Sequence, residues 1–210
     1  MTTATAVQPK KWYQFDIHRI KFPELKPIHL AAIIPICVAM NFAGSTIAQS
    51  LKLPIYLDFG GTILATLIGG WWPGVAVGFL TLIIQGLLQN PTDFAFLPLP
   101  LVGVTVLWLL LRSGWGRTWL GFIITLILFS FSLTLVTAPV TAFAFGGFTG
   151  AAWDVGTAVV VTATHNIFSA AIITQGAESI LDKGILFFVV IAILRALPAY
   201  WRVASPLHVD

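Results

Sequence analysis

Residues 118–153 read TWLGFIITLILFSFSLTLVTAPVTAFAFGGFTGAAW, and no charged side chain occurs among them. About 20 apolar residues in a helix are enough to cross the hydrocarbon core of a bilayer. The whole chain has the same character, because 58% of its 210 residues are hydrophobic, 9% are charged and the mean hydropathy is +0.93. Soluble domains carry about 25% charged residues, and disordered chains combine high charge with low hydrophobicity. The composition therefore predicts an all-α polytopic membrane protein.

Apolar runs before this stretch set the number of crossings. They cover residues 28–51, 55–71, 73–88 and 94–111, and the next run begins at Trp119. With the C-terminal third included, the length predicts about six transmembrane helices, or seven.

The predicted division of the chain is a cytoplasmic or interfacial segment at 1–27, a transmembrane helical domain at 28–200 and a short tail at 201–210. A soluble domain needs about 50 residues or more, and no such stretch is left over. We therefore expect any ATPase or kinase that works with this protein to be a separate chain.

The C-terminal third allows two arrangements. In the first, the apolar runs at 155–174 and 185–197 both cross the membrane. In the second, residues 182–197 make one crossing and residues 146–179 form a re-entrant segment or a folded cap. The glycine-rich sequence at 146–150 favours irregular backbone, which is tolerated at membrane depth where protein buries it. We favour the second arrangement, which gives six true crossings.

The basic residues predict a cytoplasmic N-terminus. Five of the eleven Lys and Arg residues precede the first apolar run, and Arg112 and Arg117 lie in the loop after the fourth run. The positive-inside rule places both regions in the cytoplasm. The loops at 52–58 and 90–93, which carry three charges, two of them acidic, then face the outside.

Two outer loops carry candidate ligand-binding residues, because ionisable groups at membrane depth are costly and usually functional. Asp58 stands at the start of the second run, where it is either a helix N-cap or a contact to a ligand or partner. Asn90, Thr92 and Asp93 form either a plain Asn-Pro turn or a lid over an outward-facing pocket. Phe96 would then belong to a stiff apolar wall beside that lid.

A second group of polar residues lies in the C-terminal third. Asp154 precedes His165 by eleven residues, or about three helical turns, so the two would share a face of a helix. His165 and Asn166 either bond between helices or contact a ligand. A metal site is not predicted, since only one His lies at this depth and no second ligand stands close to it. Asp182 and Lys183 open the last run, as a cap with a solvated neighbour.

Small residues in the first run predict a close helix contact. Ala39 and Ala43 are four residues apart, and such spacing lets another helix approach closely, either from a partner or within the same bundle.

No enzyme motif occurs. The chain lacks a His-Glu-x-x-His sequence, a Gly-x-Ser-Gly-like element and the Gly-x-x-x-x-Gly-Lys-Ser/Thr phosphate loop. We therefore expect a protein without enzymatic activity and without a nucleotide site of its own.

Two segments resemble a known family. LPIYLDFGGT at 53–62 and GGWWPGVAVG at 69–78 are similar to sequences of the substrate-binding S-components of energy-coupling factor (ECF) transporters. In that family a short second helix ends at a Gly-Pro-x-x-Gly turn and the third helix follows at once. The resemblance covers roughly residues 28–200. The apolar stretch at 155–174 and the Trp-Pro pair in the turn depart from the family pattern.

The resemblance implies six helices around a pocket open to the outside. It also implies a transmembrane coupling protein and two ATPase subunits on other chains, and a docking patch that matches Ala39 and Ala43. Family members bind vitamins, vitamin precursors or metal ions. The His-rich N-terminus of the metal-binding members is absent, which favours an organic ligand, and the largely neutral, aromatic candidates suit a small flat heterocycle.

The sequence therefore predicts the binding subunit of an ECF-type importer in a prokaryotic cell membrane, without cofactor or metal. A membrane sensor or assembly module that acts with a partner such as a histidine kinase is the alternative. The predicted partner-binding residues are Ala39 and Ala43. The predicted substrate-binding residues are Asp58, Asn90, Thr92, Phe96, Asp154, His165 and Asn166.

Overall fold

The computed structural model describes residues 27–114 and 119–196, and within these residues it contains helices and no strand. The all-α prediction is confirmed for this part of the chain. The helices are α1 (Pro27–Ser50), α2 (Gly60–Gly69), α3 (Trp71–Leu88), a 3-10 helix η1 (Pro91–Phe96), α4 (Pro98–Arg112), α5 (Trp119–Ala144), α6 (Asp154–Thr164) and α7 (Ile167–Ala196). The predicted tail at 201–210 and the predicted N-terminal segment, apart from Pro27, lie outside the described residues.

Long apolar helices indicate a membrane location. Three of the described helices are long and apolar enough to cross a bilayer: Ile28–Ser50, Trp71–Leu88 and Trp119–Ala144. Many of their large apolar side chains face outward, and the interior of the bundle holds buried Ser, Thr, Asn and Gln side chains beside its apolar core. An extensive apolar exterior of this kind suits a lipid environment and not water.

α2 and α3 meet at a single residue. Gly70 connects them with φ of 84°, a conformation that glycine adopts without a steric penalty. Residues 71–74, which the sequence analysis placed in the turn, instead form the first turn of α3. A Cβ atom at Gly74 would lie 2.1 Å from Thr66 Oγ1, so only glycine permits this close approach of the two helices.

Asn41 joins the first three helices in the core. Its Nδ2 donates to the hydroxyl oxygens of Thr62 and Thr81, both at 3.0 Å, and its Oδ1 accepts from the backbone N–H of Gly61 at 2.6 Å. A Cβ atom at Gly61 would lie 2.0 Å from the carbonyl oxygen of Cys37. α1 and α2 are therefore in backbone contact at the point where Asn41 holds them.

α5 and α7 form a second pair. The rings of Phe129 and Phe187 meet edge to face with centroids 5.9 Å apart. Ser130 Oγ donates to the carbonyl oxygen of Ser179 and Ser179 Oγ donates to that of Ser130, each at 3.2 Å. This reciprocal pair fixes the register of the two helices.

The C-terminal third differs from the sequence prediction in detail. The run at 155–174 is divided between α6 and α7, and α7 continues to Ala196 without a break. Asp182 and Lys183 therefore lie in the middle of a helix and do not open one. The prediction that Asp182 and Lys183 open the last helix was wrong, because a buried ion pair breaks an apolar run in the sequence just as the end of a helix does. α6 has 11 residues and a length of about 16 Å, which is too short to cross a bilayer.

Candidate functional site

A cavity of about 570 Å³ lies at one end of the bundle. Its walls come from the last turns of α1 and α3, the loop before α2, η1, the first turn of α4, the C-terminal half of α5 and the middle of α7. Ligand pockets of proteins usually enclose about 300–1,000 Å³. The cavity is therefore large enough for a small organic molecule.

Asp58 lies in the cavity wall in a loop that is held from two sides. The backbone N–H of Leu57 donates to Asp182 Oδ1 at 2.8 Å, and Leu57 has φ of 54°. A Cβ atom at Gly44 would lie 2.1 Å from the carbonyl oxygen of Leu57, so α1 closely supports this loop. α2 has Phe59 at its N-cap and no side-chain cap bond. Asp58 therefore does not cap α2, and its carboxyl group remains available to the cavity.

Asn90 caps a short helix and also lines the cavity. Its Oδ1 accepts from the backbone N–H of Thr92 at 3.1 Å and caps η1, and the residue also lines the cavity with Thr92, Asp93 and Phe96. The ring of Phe96 stacks on Phe145 with centroids 6.0 Å apart. The turn is thus part of the cavity wall.

Asp58 and Asp93 carry raised pKa values. Burial is the main cause for both residues. At Asp58, the positive charge of Lys183 opposes the rise in pKa, and the negative charge of Asp182 adds to it. For Asp93, burial and the charge of Asp58 raise the pKa to about 7. Burial also raises the pKa of Tyr56. This end of the cavity disfavours negative charge in the absence of a compensating group.

The short loop before α6 forms part of the cavity wall. Residues 149–153 line it, and Asp154 holds this loop through its carboxylate, which accepts from the backbone N–H groups of Thr149 at 3.2 Å and Gly150 at 2.6 Å. Asp154 itself is not in the cavity wall. It lies behind the wall at the first residue of α6, where it holds the loop that carries Trp153.

α7 contributes residues that the sequence analysis did not select. Glu178, Ser179 and Lys183 line the cavity. Lys183 Nζ forms an ion pair with Asp182 and lies 5.3 Å from the centre of the Phe59 ring. Glu178 is buried, and its Oε1 has no hydrogen-bond partner in the described structure. The sequence did carry a signal, because three charged residues stand within one and a half turns of an otherwise apolar segment.

His165 and Asn166 lie outside the cavity. Both are exposed at the junction of α6 and α7. His165 ends α6 in a left-handed conformation with φ of 50°, and Asn166 Oδ1 accepts from the backbone N–H of Ser169 at 3.0 Å. The structure gives them the roles of helix caps and does not bring them together with Asp58 and Asn90.

Ala39 and Ala43 lie on the outer face of α1, where both are exposed. They therefore do not pack inside the described bundle. This leaves room for a helix of another chain at the predicted docking patch.

Comparisons with protein-family models, with curated proteins and with solved structures gave no match. The cavity, its charged walls and the outer face of α1 are the observations from which a function can be argued.

Proposed function

We propose that the protein is the substrate-binding subunit of an ECF-type ABC importer, which captures a small organic micronutrient, a vitamin or vitamin precursor, from outside the cell. The observation that carries this proposal is the cavity at one end of the bundle. It is preformed, it has the volume of a small-molecule site, and its wall combines helices with the loops at 52–58, 90–96 and 149–153. A binding subunit needs such a cavity, whereas a purely structural helix bundle does not.

The arrangement of the helices supports six crossings with the cavity outside. α1, α3 and α5 end beside the cavity, and α4 and α7 lead away from it. Arg112 and Arg195 are in the last turns of α4 and α7, and so lie at the end of the bundle away from the cavity. With both basic ends in the cytoplasm, the positive-inside rule is obeyed and the cavity opens outward. α6 then caps the outer end.

The helices α2 and α7 are both compatible with this topology. α2 has only 10 residues, but it is buried along nearly its whole length, so it counts as a crossing because it returns the chain to the start of α3 inside the bundle and not through lipid. α7 has 30 residues, and its charged residues near the middle, Glu178, Asp182 and Lys183, are buried in the bundle. Charges at this depth are tolerated where protein or a polar cavity surrounds them.

The proposal requires partner chains. A binding subunit must release its ligand on the other side of the membrane, and the sequence contains no phosphate loop that would supply ATP hydrolysis for this step. The exposed Ala39 and Ala43 on α1 support contact with a transmembrane coupling protein, which would join the chain to two ATPase subunits.

The test is reconstitution in liposomes. The solute that co-purifies with the chain is first identified by mass spectrometry, and its uptake is then measured with and without an ECF coupling protein and its two ATPases. We expect binding by the chain alone, and uptake only with the partners and ATP. ATP-independent uptake by the chain alone, or a purified chain that retains no solute, would contradict the proposal.

A further inference from the structure

Three carboxyl groups from three different elements reach the same cavity. Asp58 comes from the loop before α2, Asp93 from η1 and Glu178 from the middle of α7. These carboxyl groups are distant in sequence but line one cavity, and each is withdrawn at least partly from water. Such an arrangement is costly unless something in the cavity compensates it.

Glu178 is the carboxyl group with the clearest capacity to accept a hydrogen bond from a ligand. Only 5% of its surface is exposed, and its Oε1 has no hydrogen-bond partner in the part of the chain that the structure describes. Trp153, also in the wall, has a buried Nε1 without a partner in the same residues. Buried polar atoms are normally hydrogen-bonded. A ligand that satisfies both must offer a donor to Glu178 and an acceptor to Trp153.

The basic residues at the cavity do not balance these acids. Lys183 is already paired with Asp182, the adjacent acid on α7. Lys52 is exposed at the edge of the cavity. Among the described residues, no basic side chain at the cavity forms an ion pair with Asp58, Asp93 or Glu178, so a positively charged ligand is the group that would compensate these carboxyl groups.

The rest of the wall favours an organic cation over a metal ion. Tyr56, Phe96 and Trp153 line the cavity, and aromatic faces attract organic cations. Among residues 27–114 and 119–196, no three His, Cys, Asp or Glu side chains are grouped closely enough to hold a metal ion. The carboxyl groups are instead spread around a space of about 570 Å³.

We propose that the cavity binds a small organic cation whose protonated amine lies against Glu178, with Asp58 and Asp93 as further counter-charges. A protonated amine supplies the N–H donor that Glu178 lacks, which a quaternary ammonium group does not. An acceptor elsewhere in the ligand faces the indole N–H of Trp153. This inference rests on the proposed function, since it names the chemical class of the captured solute.

The experiment compares three probes of nearly equal size and different charge. Binding of phenethylamine, 2-phenylethanol and 3-phenylpropionate to the purified full-length protein in nanodiscs is measured by calorimetry at neutral pH. We expect phenethylamine to bind about 10- to 100-fold more tightly than the neutral alcohol, and the anion to bind weakest. Equal or tighter binding of the alcohol or the anion, or no binding of the amine, would overturn the inference.

Glu178→Gln keeps the shape of the side chain and removes its charge. It should abolish most of the preference for the amine over the alcohol, while Asn166→Ala, an uncharged change outside the cavity, should retain it. Asp93→Asn is a second charge-removing variant in case Glu178→Gln folds poorly. A preference unchanged in both charge-removing variants would contradict the inference. Mg²⁺ or Ca²⁺ that binds alone and depends on Glu178 would replace it with a metal site.

Failure of this inference is distinguishable from failure of the proposed function. If the solute that co-purifies with the protein is neutral or anionic and is still taken up with ECF partners and ATP, the cation inference is wrong and the proposed function holds. If the amine binds as expected but no ECF partner supports uptake, the cation inference holds and the proposed function is wrong.

Discussion

At the scale of single residues, the cavity depends on side chains with two roles. Asn90 caps η1 and also faces the cavity, and Asp154 holds the loop that places Trp153 there. Asp58 and Glu178 differ from these, since Asp58 does not cap α2 and Glu178 Oε1 has no hydrogen-bond partner among the described residues. Substitutions can therefore separate ligand contacts from structural supports.

Asp58→Asn tests a ligand contact against a cap. Loss of a charge-assisted hydrogen bond costs about 1.5–3 kcal/mol, so we expect affinity for the co-purifying solute to fall about 10- to 100-fold. Asn166→Ala, outside the cavity, should leave affinity unchanged and lower stability by about 1 kcal/mol through loss of a helix cap. Binding and thermal unfolding of both variants are the measurements. Weaker binding in Asn166→Ala alone would place the site at the α6–α7 junction.

Asp93→Asn should stabilise the ligand-free protein at neutral pH. The folded state raises the pKa of Asp93 from its ordinary value of 3.8 to about 7. The folded state therefore holds this proton more tightly than the unfolded state, and its stability falls as pH rises between these two values. Because the site is partly exposed, screening reduces the effect to about 1 kcal/mol, or about 2–4 °C in the melting temperature.

The measurement is the melting temperature of both proteins from pH 5 to pH 8 without solute. The advantage of the variant should shrink toward pH 5, where the wild-type carboxyl group is protonated in the folded state. A constant difference across this range would show that the charge of Asp93 is not its cause.

At the scale of elements, glycine positions decide how closely the helices approach. Gly61 lies in backbone contact with α1 beside Asn41. Gly176 is also in a helix, but a Cβ atom there would meet its nearest neighbour only at 3.9 Å. The same substitution should therefore have opposite effects at the two positions.

Gly61→Ala should destabilise the protein by about 1–3 kcal/mol, because α1 and α2 must separate and strain the bonds of Asn41. Gly176→Ala should be neutral or stabilise it by up to about 1 kcal/mol, since alanine is the better helix former. Thermal unfolding in detergent measures both. Equal melting temperatures of Gly61→Ala and the wild type would contradict the close packing of α1 on α2.

The outer face of α1 is the element that the proposal assigns to the coupling protein. Ala39→Trp should prevent assembly, because an indole holds two helices several ångströms apart, while solute binding by the isolated subunit remains normal. Val159→Trp on the exposed side of α6 is the matched control and should assemble normally. Co-purification with the coupling protein is the readout, and normal assembly of Ala39→Trp would remove α1 from the interface.

At the scale of the whole molecule, the proposed topology places the cavity end of the bundle outside the cell. Single cysteines at Asn90 and Ser113 lie at opposite ends of the described bundle, and a cysteine at Arg195 lies at the same end as Ser113. Cys37 is buried and should not react. With an impermeant reagent applied to intact cells, we expect labelling at Asn90 only. Labelling at Asn90 and Ser113 from the same side would refute the topology.

The sequence by itself determined the fold class, the ends of most apolar helices and the loops at Asp58 and Asn90. These follow from local properties, since hydropathy and Pro, Gly and Asn positions act over a few residues. The sequence did not predict the continuous helix α7 or the place of Glu178 in the cavity. The tertiary structure decided both, because charges within a helix are tolerated only where other elements surround them. It likewise separated His165 and Asn166 from Asp58, since α6 places them about three helical turns away from the cavity-lining loop at 149–153.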